Sequence, residues 1–171
     1  MPKLTAEFVQ AALDHHVWDL GNEILYRLCA DYPGHAADDV IIAKTWLIGR
    51  AYAAAVERRR DRGEFSGDAF YEKGVAPGIR QANVDTWMQK LRDDISGSKI
   101  LSLTVHKHFS DLLNDITGLK KRSFASKYLH FHFPTKFFIY DILVRPVVSS
   151  SCSGVIPDRE HWKSLRAPKL I

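Results

Sequence analysis

Between Asp38 and Arg60 the chain is apolar nearly all round, with Val40, Ile41, Trp46, Leu47 and Ile48 in the middle of the run. Asp38 and Asp39 stand at its start and Arg58, Arg59 and Arg60 at its end. Acids at the first turn of a helix and bases at the last both complement its dipole. An apolar circumference marks a helix that other helices surround. Gly49, Ala51, Ala53, Ala54 and Ala55 are small enough for neighbours to come close. The run is therefore read as one long central helix, over Asp38 to about Arg60.

The remaining apolar residues keep the same period. Ile24, Leu25 and Leu28 predict a short helix over Asn22–Ala30, which Asp31-Tyr-Pro-Gly34 stops. A further helix is expected over Val84–Asp94, with Trp87, Met88 and Leu91. Leu101, Val105, Phe109, Leu112 and Ile116 follow i, i+4, i+8, i+11, i+15, which predicts a helix over Lys99–Ile116. Another is expected from about Ser123 to Phe133, where Pro134 ends it. Residues 61–83 hold Gly63, Gly67, Gly74, Pro77 and Gly78, and read as loop with one helical turn near Asp68–Lys73. Phe137–Tyr140 reads as a short extended segment. No stretch alternates over six or more residues with β-branched enrichment. The expected fold is all-α: a compact bundle of short helices around one long central helix, with a helix–hairpin–helix element at about 100–133. Residues 1–146 are expected to form one domain, and 147–171, with Ser149–Gly154, a weakly ordered or peripheral tail.

Composition excludes several classes. A chain of 171 residues, 46% hydrophobic, needs no disulfide or metal to hold a core. Cys29 and Cys152 stand far apart and outside any C-x-x-C pair, which disfavours a zinc ribbon, an iron–sulfur cluster or a disulfide scaffold. His106-x-His108 and His130-x-His132 diverge on helices, whereas chelation needs i, i+4 spacing. No metal site and no cofactor is expected. No apolar run approaches the length of a membrane span, and the first residues lack the pattern of a secretory signal. The expected compartment is a reducing cytoplasm, without membrane attachment.

Charge is unevenly placed. Residues 1–98 hold 12 bases and 15 acids, whereas residues 99–136 hold 7 bases and 2 acids. A basic block on a slightly acidic body suits a phosphate-binding face. Within it, Thr117-Gly118-Leu119 forms a tight turn, and Lys120, Lys121 and Arg122 sit at the start of the next helix. Free N–H groups at a helix N-terminus favour an anion. Gly118, Lys120, Lys121, Arg122 and Ser123 are thus the candidate contacts to a DNA backbone phosphate; a monovalent or divalent cation at the hairpin is left open. Phe131, Phe133, Phe137, Phe138 and Tyr140 are expected mostly in the core, with one or two lining a pocket able to stack on a flipped base.

The segment Ser123-Phe-Ala-Ser-Lys-Tyr-Leu-His-Phe-His-Phe-Pro134, followed by Phe137-Phe-Ile-Tyr-Asp141, resembles bacterial 8-oxoguanine DNA glycosylase-like proteins of the helix–hairpin–helix superfamily. The stretch Lys44–Arg58 is similar to the same group, and the likeness covers about residues 38–141. It implies an all-helical protein that binds duplex DNA, extrudes an oxidised or modified purine and cleaves its N-glycosidic bond; the chain itself is expected to be a monomer. An aspartate after the hairpin supports the oxocarbenium-like sugar, and in bifunctional members a lysine attacks C1′. Gly118 then matches the first hairpin glycine and Asp141 the aspartate, while Lys120 replaces the second glycine. Placement puts Arg122 or Ser123 at the nucleophile's position. Arginine stays protonated and cannot serve, which leaves Lys127, one turn beyond Ser123 on the same face, or the neighbouring Lys121. The alternative reading is a non-catalytic helix–hairpin–helix module that binds DNA or another protein.

Overall fold

The computed structural model describes residues 5–14, 16–58, 60 and 65–140. Asp141, Cys152 and the tail expected from residue 147 lie outside the described residues. The described chain is all-α, with no strand among the described residues. Its helices are α1 (Ala6–Leu13), α2 (Asp19–Asp31), α3 (Asp38–Ala51), α4 (Asp68–Phe70), α5 (Ala76–Gln81), α6 (Val84–Asp93), α7 (Lys99–Thr117) and α8 (Arg122–His132). A 3₁₀ turn at His16–Trp18 precedes α2, and a π turn at Tyr71–Val75 joins α4 to α5. Helices α2, α6, α7 and α8 fall close to where apolar spacing places them.

Two regions differ from expectation. Helix α3 stops at Ala51 rather than running to Arg60. The chain turns back on itself there: Ala53 has φ 50°, and Ala54 N–H donates to Gly49 O at 2.8 Å. A Cβ on Gly49 would lie 3.1 Å from the Ala55 Cα, so the bare glycine permits the fold-back. Ala55 and Val56 are then buried beside the helix instead of extending it. The second difference is at residues 68–81, which are helical through Gly74 and Pro77. Phe70, Tyr71, Val75, Ala76 and Ile79 are buried. Phe70 and Val75, and likewise Tyr71 and Ala76, are spaced by five, which a 3.6-residue period does not match. The π turn supplies the extra residue, with Ala76 N–H bonded to Tyr71 O. Pro77 follows in the first turn of α5, where a missing N–H is tolerated.

The core gathers on α3, α7 and α8. Ile41, Lys44, Thr45 and Ile48 form the buried face of α3. Val105, Phe109, Leu113 and Thr117 form that of α7. Helix α8 is the most enclosed, with Phe124 through Leu129 and Phe131 all buried; it packs against α2, α3 and α7. The segment after α8 is tied back by Lys136 Nζ, which donates to Asp94 O at 2.6 Å.

The α7–α8 turn is closed by Gly118 at φ 80°. Its N–H donates to Asn114 O at 2.7 Å, ending α7. A residue with a Cβ is strained in this left-handed conformation. Gly118→Ala is expected to lower stability by about 1 kcal/mol, read as a fall in Tm of roughly 2–4 °C. An unchanged Tm would show that the turn relaxes without cost.

Candidate functional site

Three features of α8 and its surroundings bear on chemistry: the turn at its start, a lysine within it, and a polar cluster at its back. In the turn between α7 and α8, Thr117 knits the backbone together. Its hydroxyl lies 2.7 Å from Leu113 O and accepts from Leu119 N–H at 3.1 Å. The bases expected at a phosphate are mostly engaged with the protein. Lys120 Nζ pairs with Asp111 at 3.1 Å, with both side chains partly exposed. Lys121 Nζ donates to Arg58 O, bridging the hairpin to the chain beyond α3. Arg122 is exposed; burial holds the His106 imidazole below its ordinary pKa, opposed by a hydrogen bond to the Arg122 backbone and aided by the Arg122 charge. Among the described residues no side chain caps α8.

Lys127 is 1% exposed. Its Nζ donates to Ser123 Oγ at 2.6 Å, one helical turn earlier, as their i, i+4 spacing dictates. The amine also lies 3.4 Å from Tyr140 O and 5.9 Å from the centre of the Tyr52 ring. The chain from Phe137 to Tyr140 is laid along α8 by two side chains. His130 Nδ1 donates to Phe137 O at 2.6 Å, and Ser126 Oγ accepts from Tyr140 N–H at 3.0 Å. Lys127 and Ser123 are thus brought together, whereas Lys121 turns to Arg58. Tyr140, the residue before Asp141, has its carbonyl at the Lys127 amine.

Tyr52 connects Lys127 to a cavity of about 470 Å³ between α2 and α3, lined by Trp18, Asn22, Ile24, Leu25, Leu47 and Tyr52 among others. The Tyr52 hydroxyl donates to Asn22 Oδ1 at 2.6 Å. A volume in the range of about 300–1,000 Å³ with few polar groups is typical of small-molecule sites. Among the described residues the aromatic rings at this cavity are Trp18 and Tyr52, neither of them a ring that the sequence marks for a pocket. Phe131 and Phe137 are buried in the core, while Phe138 is 87% exposed.

Behind α8 lies a polar cluster that sequence reasoning missed. His35, in the loop between α2 and α3, is held by both oxygens of Asp85. Its backbone N–H donates to Oδ2 at 2.9 Å and its Nδ1 faces Oδ1 at 2.7 Å. With the proton on Nδ1, Nε2 is an acceptor, and Tyr128 OH donates to it at 2.8 Å. Lys44, fully buried on the core face of α3, places Nζ 3.3 Å from the same nitrogen. It also donates to Tyr32 O at 3.0 Å and Gly34 O at 2.8 Å. Two ammonium protons thus meet carbonyl oxygens, and the third shares the Nε2 lone pair with the Tyr128 hydroxyl.

Titration follows from this packing. Burial, then the Lys44 charge, lowers the His35 pKa to about 4 against the pull of Asp85. Burial lowers Lys44 to about 8. Burial also raises the Cys29 thiol to about 12, with the Lys44 charge opposing. The Asp85 carboxyl is held below its ordinary value because the His35 hydrogen bonds outweigh its own burial. His132, whose ring lies 5.1 Å from Tyr128, is kept neutral by burial and by the Lys44 charge. Its Nε2 is buried without a hydrogen-bond partner among the described residues. The two histidine pairs diverge as expected: His106 lies near Arg122, while His108 packs on Trp87 at 5.6 Å. Among the described residues no three His, Cys, Asp or Glu side chains gather as a metal site. No helix of the described residues is long and apolar enough to cross a membrane.

A histidine whose folded pKa is depressed binds its proton in the unfolded chain first. Stability is therefore expected to fall as pH drops from about 6.5 toward 4, by on the order of 3 kcal/mol from His35 alone. Lys44 has the same sign: the unfolded chain holds its proton between pH 8 and 10.5, so stability gains as pH rises through that window. Denaturant unfolding at stepped pH checks both. Lys44→Met is expected to flatten the profile between pH 8 and 10; an unchanged slope would mean that Lys44 titrates as an ordinary surface amine. Comparison of the chain with protein-family models, with curated proteins and with solved structures returns no match.

Proposed function

We propose that the chain is a DNA glycosylase-like protein that binds duplex DNA and excises an oxidised or modified purine, with Lys127 as an amine nucleophile. The observation that carries this reading is the enclosed Lys127 amine, 5.9 Å from the ring of Tyr52, which itself lines the cavity of about 470 Å³. An extruded base would enter that cavity and meet the rings of Trp18 and Tyr52, leaving its sugar toward α8. Lys127 first gives one ammonium proton to Asp141; its nitrogen then attacks C1′ as the N-glycosidic bond breaks, and the bonding pair departs with the base, which takes up a proton. Asp141 is assigned the proton-transfer and charge-stabilising role, as the resemblance implies. Ser123 Oγ, 2.6 Å from Nζ, orients the amine. Loss of the amine proton and opening of the sugar then give a Schiff base. Gly118, Lys120, Lys121, Arg122 and Ser123 are assigned to the backbone of the bound duplex, with Lys120 exchanging Asp111 for a phosphate.

Borohydride reduction on a duplex containing 8-oxoguanine tests the reading, because it converts a Schiff base to a stable secondary amine. A covalent adduct is expected with the unaltered protein and with Lys121→Ala, and none with Lys127→Ala. An adduct that persists in Lys127→Ala would overturn the assignment of the nucleophile. Absence of any adduct, with binding that still weakens steeply as salt rises, would leave the non-catalytic DNA-binding module. Absence of both would remove the DNA reading.

A further inference from the structure

The first half of α2 carries large apolar side chains that nothing covers among the described residues. The buried residues of the helix are Leu25 and Cys29, in its second half. Ahead of them Val17, Trp18, Leu20 and Ile24 are exposed, as is Leu47 on α3, each between 38% and 74%. Leu20, Gly21 and Ile24 share one side of α2 by their spacing, and a Cβ on Gly21 would meet nothing within 4 Å. The five side chains leave roughly 500 Å² of apolar surface open, toward the upper end of the about 300–600 Å² that the largest patch of a monomer shows. A standard interface takes about 800 Å² from each partner, a little over half of it apolar. The open area matches that apolar share, and exposed Asp19, Glu23 and Arg27 on the neighbouring side of α2 supply a polar rim.

The face is also shaped to receive itself. Trp18, Gly21, Ile24 and Leu47 line the cavity of about 470 Å³. Val17 and Leu20, next to them in the chain, do not line it and project to solvent. One chain thus offers both a recess and the side chains to fill it, which is what an isologous interface requires. We infer that two copies of the chain pair through this face. Helix α2 crosses its counterpart about a two-fold axis at the level of Asn22, so that Leu20 of each copy seats against Ile24 of the other. Gly21, beside that level, has no side chain to hold the helices apart. The recess is the one assigned above to an extruded base, so pairing and base entry exclude each other, and the monomer expected from the sequence is the open form. That exclusion rests on the glycosylase reading; the pairing does not.

Sedimentation equilibrium of the full chain over a range of concentrations tests this. A species of twice the 19.5 kDa chain mass is expected at high concentration. Leu20→Glu and Ile24→Lys are each expected to weaken pairing about tenfold or more; both positions are exposed, so neither change removes a core contact. An equimolar mixture of the two variants should pair again, because the introduced carboxylate then faces the introduced ammonium. Leu103→Glu, at an exposed apolar position on α7, should leave pairing unchanged. A chain that stays monomeric, single variants that pair like the unaltered protein, a mixture of folded variants that does not pair, or an equal loss in Leu103→Glu would overturn the inference. In a monomeric chain, slow maleimide labelling of Leu20→Cys relative to Ile100→Cys would assign the face to another part of the same chain, and equal labelling to a different partner. Added duplex is expected to convert the dimer to monomer. A dimer that persists on DNA while the borohydride adduct forms would move the base out of this cavity and leave the pairing in place. An adduct formed by a chain that never pairs loses the pairing alone.

Discussion

The ammonium of Lys44 is buried in the middle of the helical core, and the structure is arranged to satisfy it. An isolated buried charge costs several kcal/mol even after relaxation, and the three acceptors around Nζ offset that cost. Tyr32 O and Gly34 O fix the loop between α2 and α3, and His35 Nε2 links the lysine to Tyr128 on α8 and, through the imidazole, to Asp85 on α6. Removing one partner would strand the others in an apolar setting, so the cluster behaves as a unit. Four separate segments are thereby held in one relative placement.

Helix α8 takes its roll from this cluster. Tyr128 is fully buried, bonded to His35, and stacked on Phe109 of α7 with ring centres 5.0 Å apart. Its neighbour in sequence is Lys127. Successive residues on a helix point about 100° apart, so fixing Tyr128 toward His35 fixes Lys127 toward Ser123, Tyr140 and Tyr52. The same helix α3 that carries Lys44 ends where Tyr52 begins the fold-back, which brings Tyr52 to the Lys127 amine on one side and to Asn22 on the other. The polar cluster positions the candidate site without touching it.

Much of this framework is legible in the sequence, and the exceptions have physical causes. Helical spacing placed α7 and α8 within a residue or so, because Val105, Phe109 and the residues after Ser123 repeat at the period of the helix. The end of α3 is hidden because Ala53, Ala54 and Ala55 are good helix formers; tertiary contact, with Ala55 against Gly49 and Val56 buried in the core, overrides them. Gly74 and Pro77 disguised a helical run whose five-residue spacing becomes regular only once a π turn is allowed. Lys127 stands out in the sequence only through the family resemblance, which puts Ser123 one helical turn before it at the nucleophile's position. Tyr52, Asn22 and Trp18 do not, since they come from three segments that only the fold brings together. Lys44 did leave a signal: Ile41, Lys44, Thr45 and Ile48 share one helical face, and a lysine on a core face demands partners. His35 as one of those partners, and Asp85, 50 residues from it in sequence and bonded to its imidazole, could be assigned only from the fold.

The protonation of His35 is the most direct measure of whether this cluster is built as described. Two-bond proton–nitrogen correlation spectra of the ¹⁵N-labelled protein, with the His35 signals assigned by their loss in His35→Gln, report which ring nitrogen carries the proton and at what pH the second one is gained. A neutral ring protonated on Nδ1, unchanged from pH 7 to pH 5, is the result predicted by the Asp85 and Tyr128 bonds and the neighbouring Lys44 charge. A proton on Nε2, or a titration midpoint near that of a free imidazole, would contradict it.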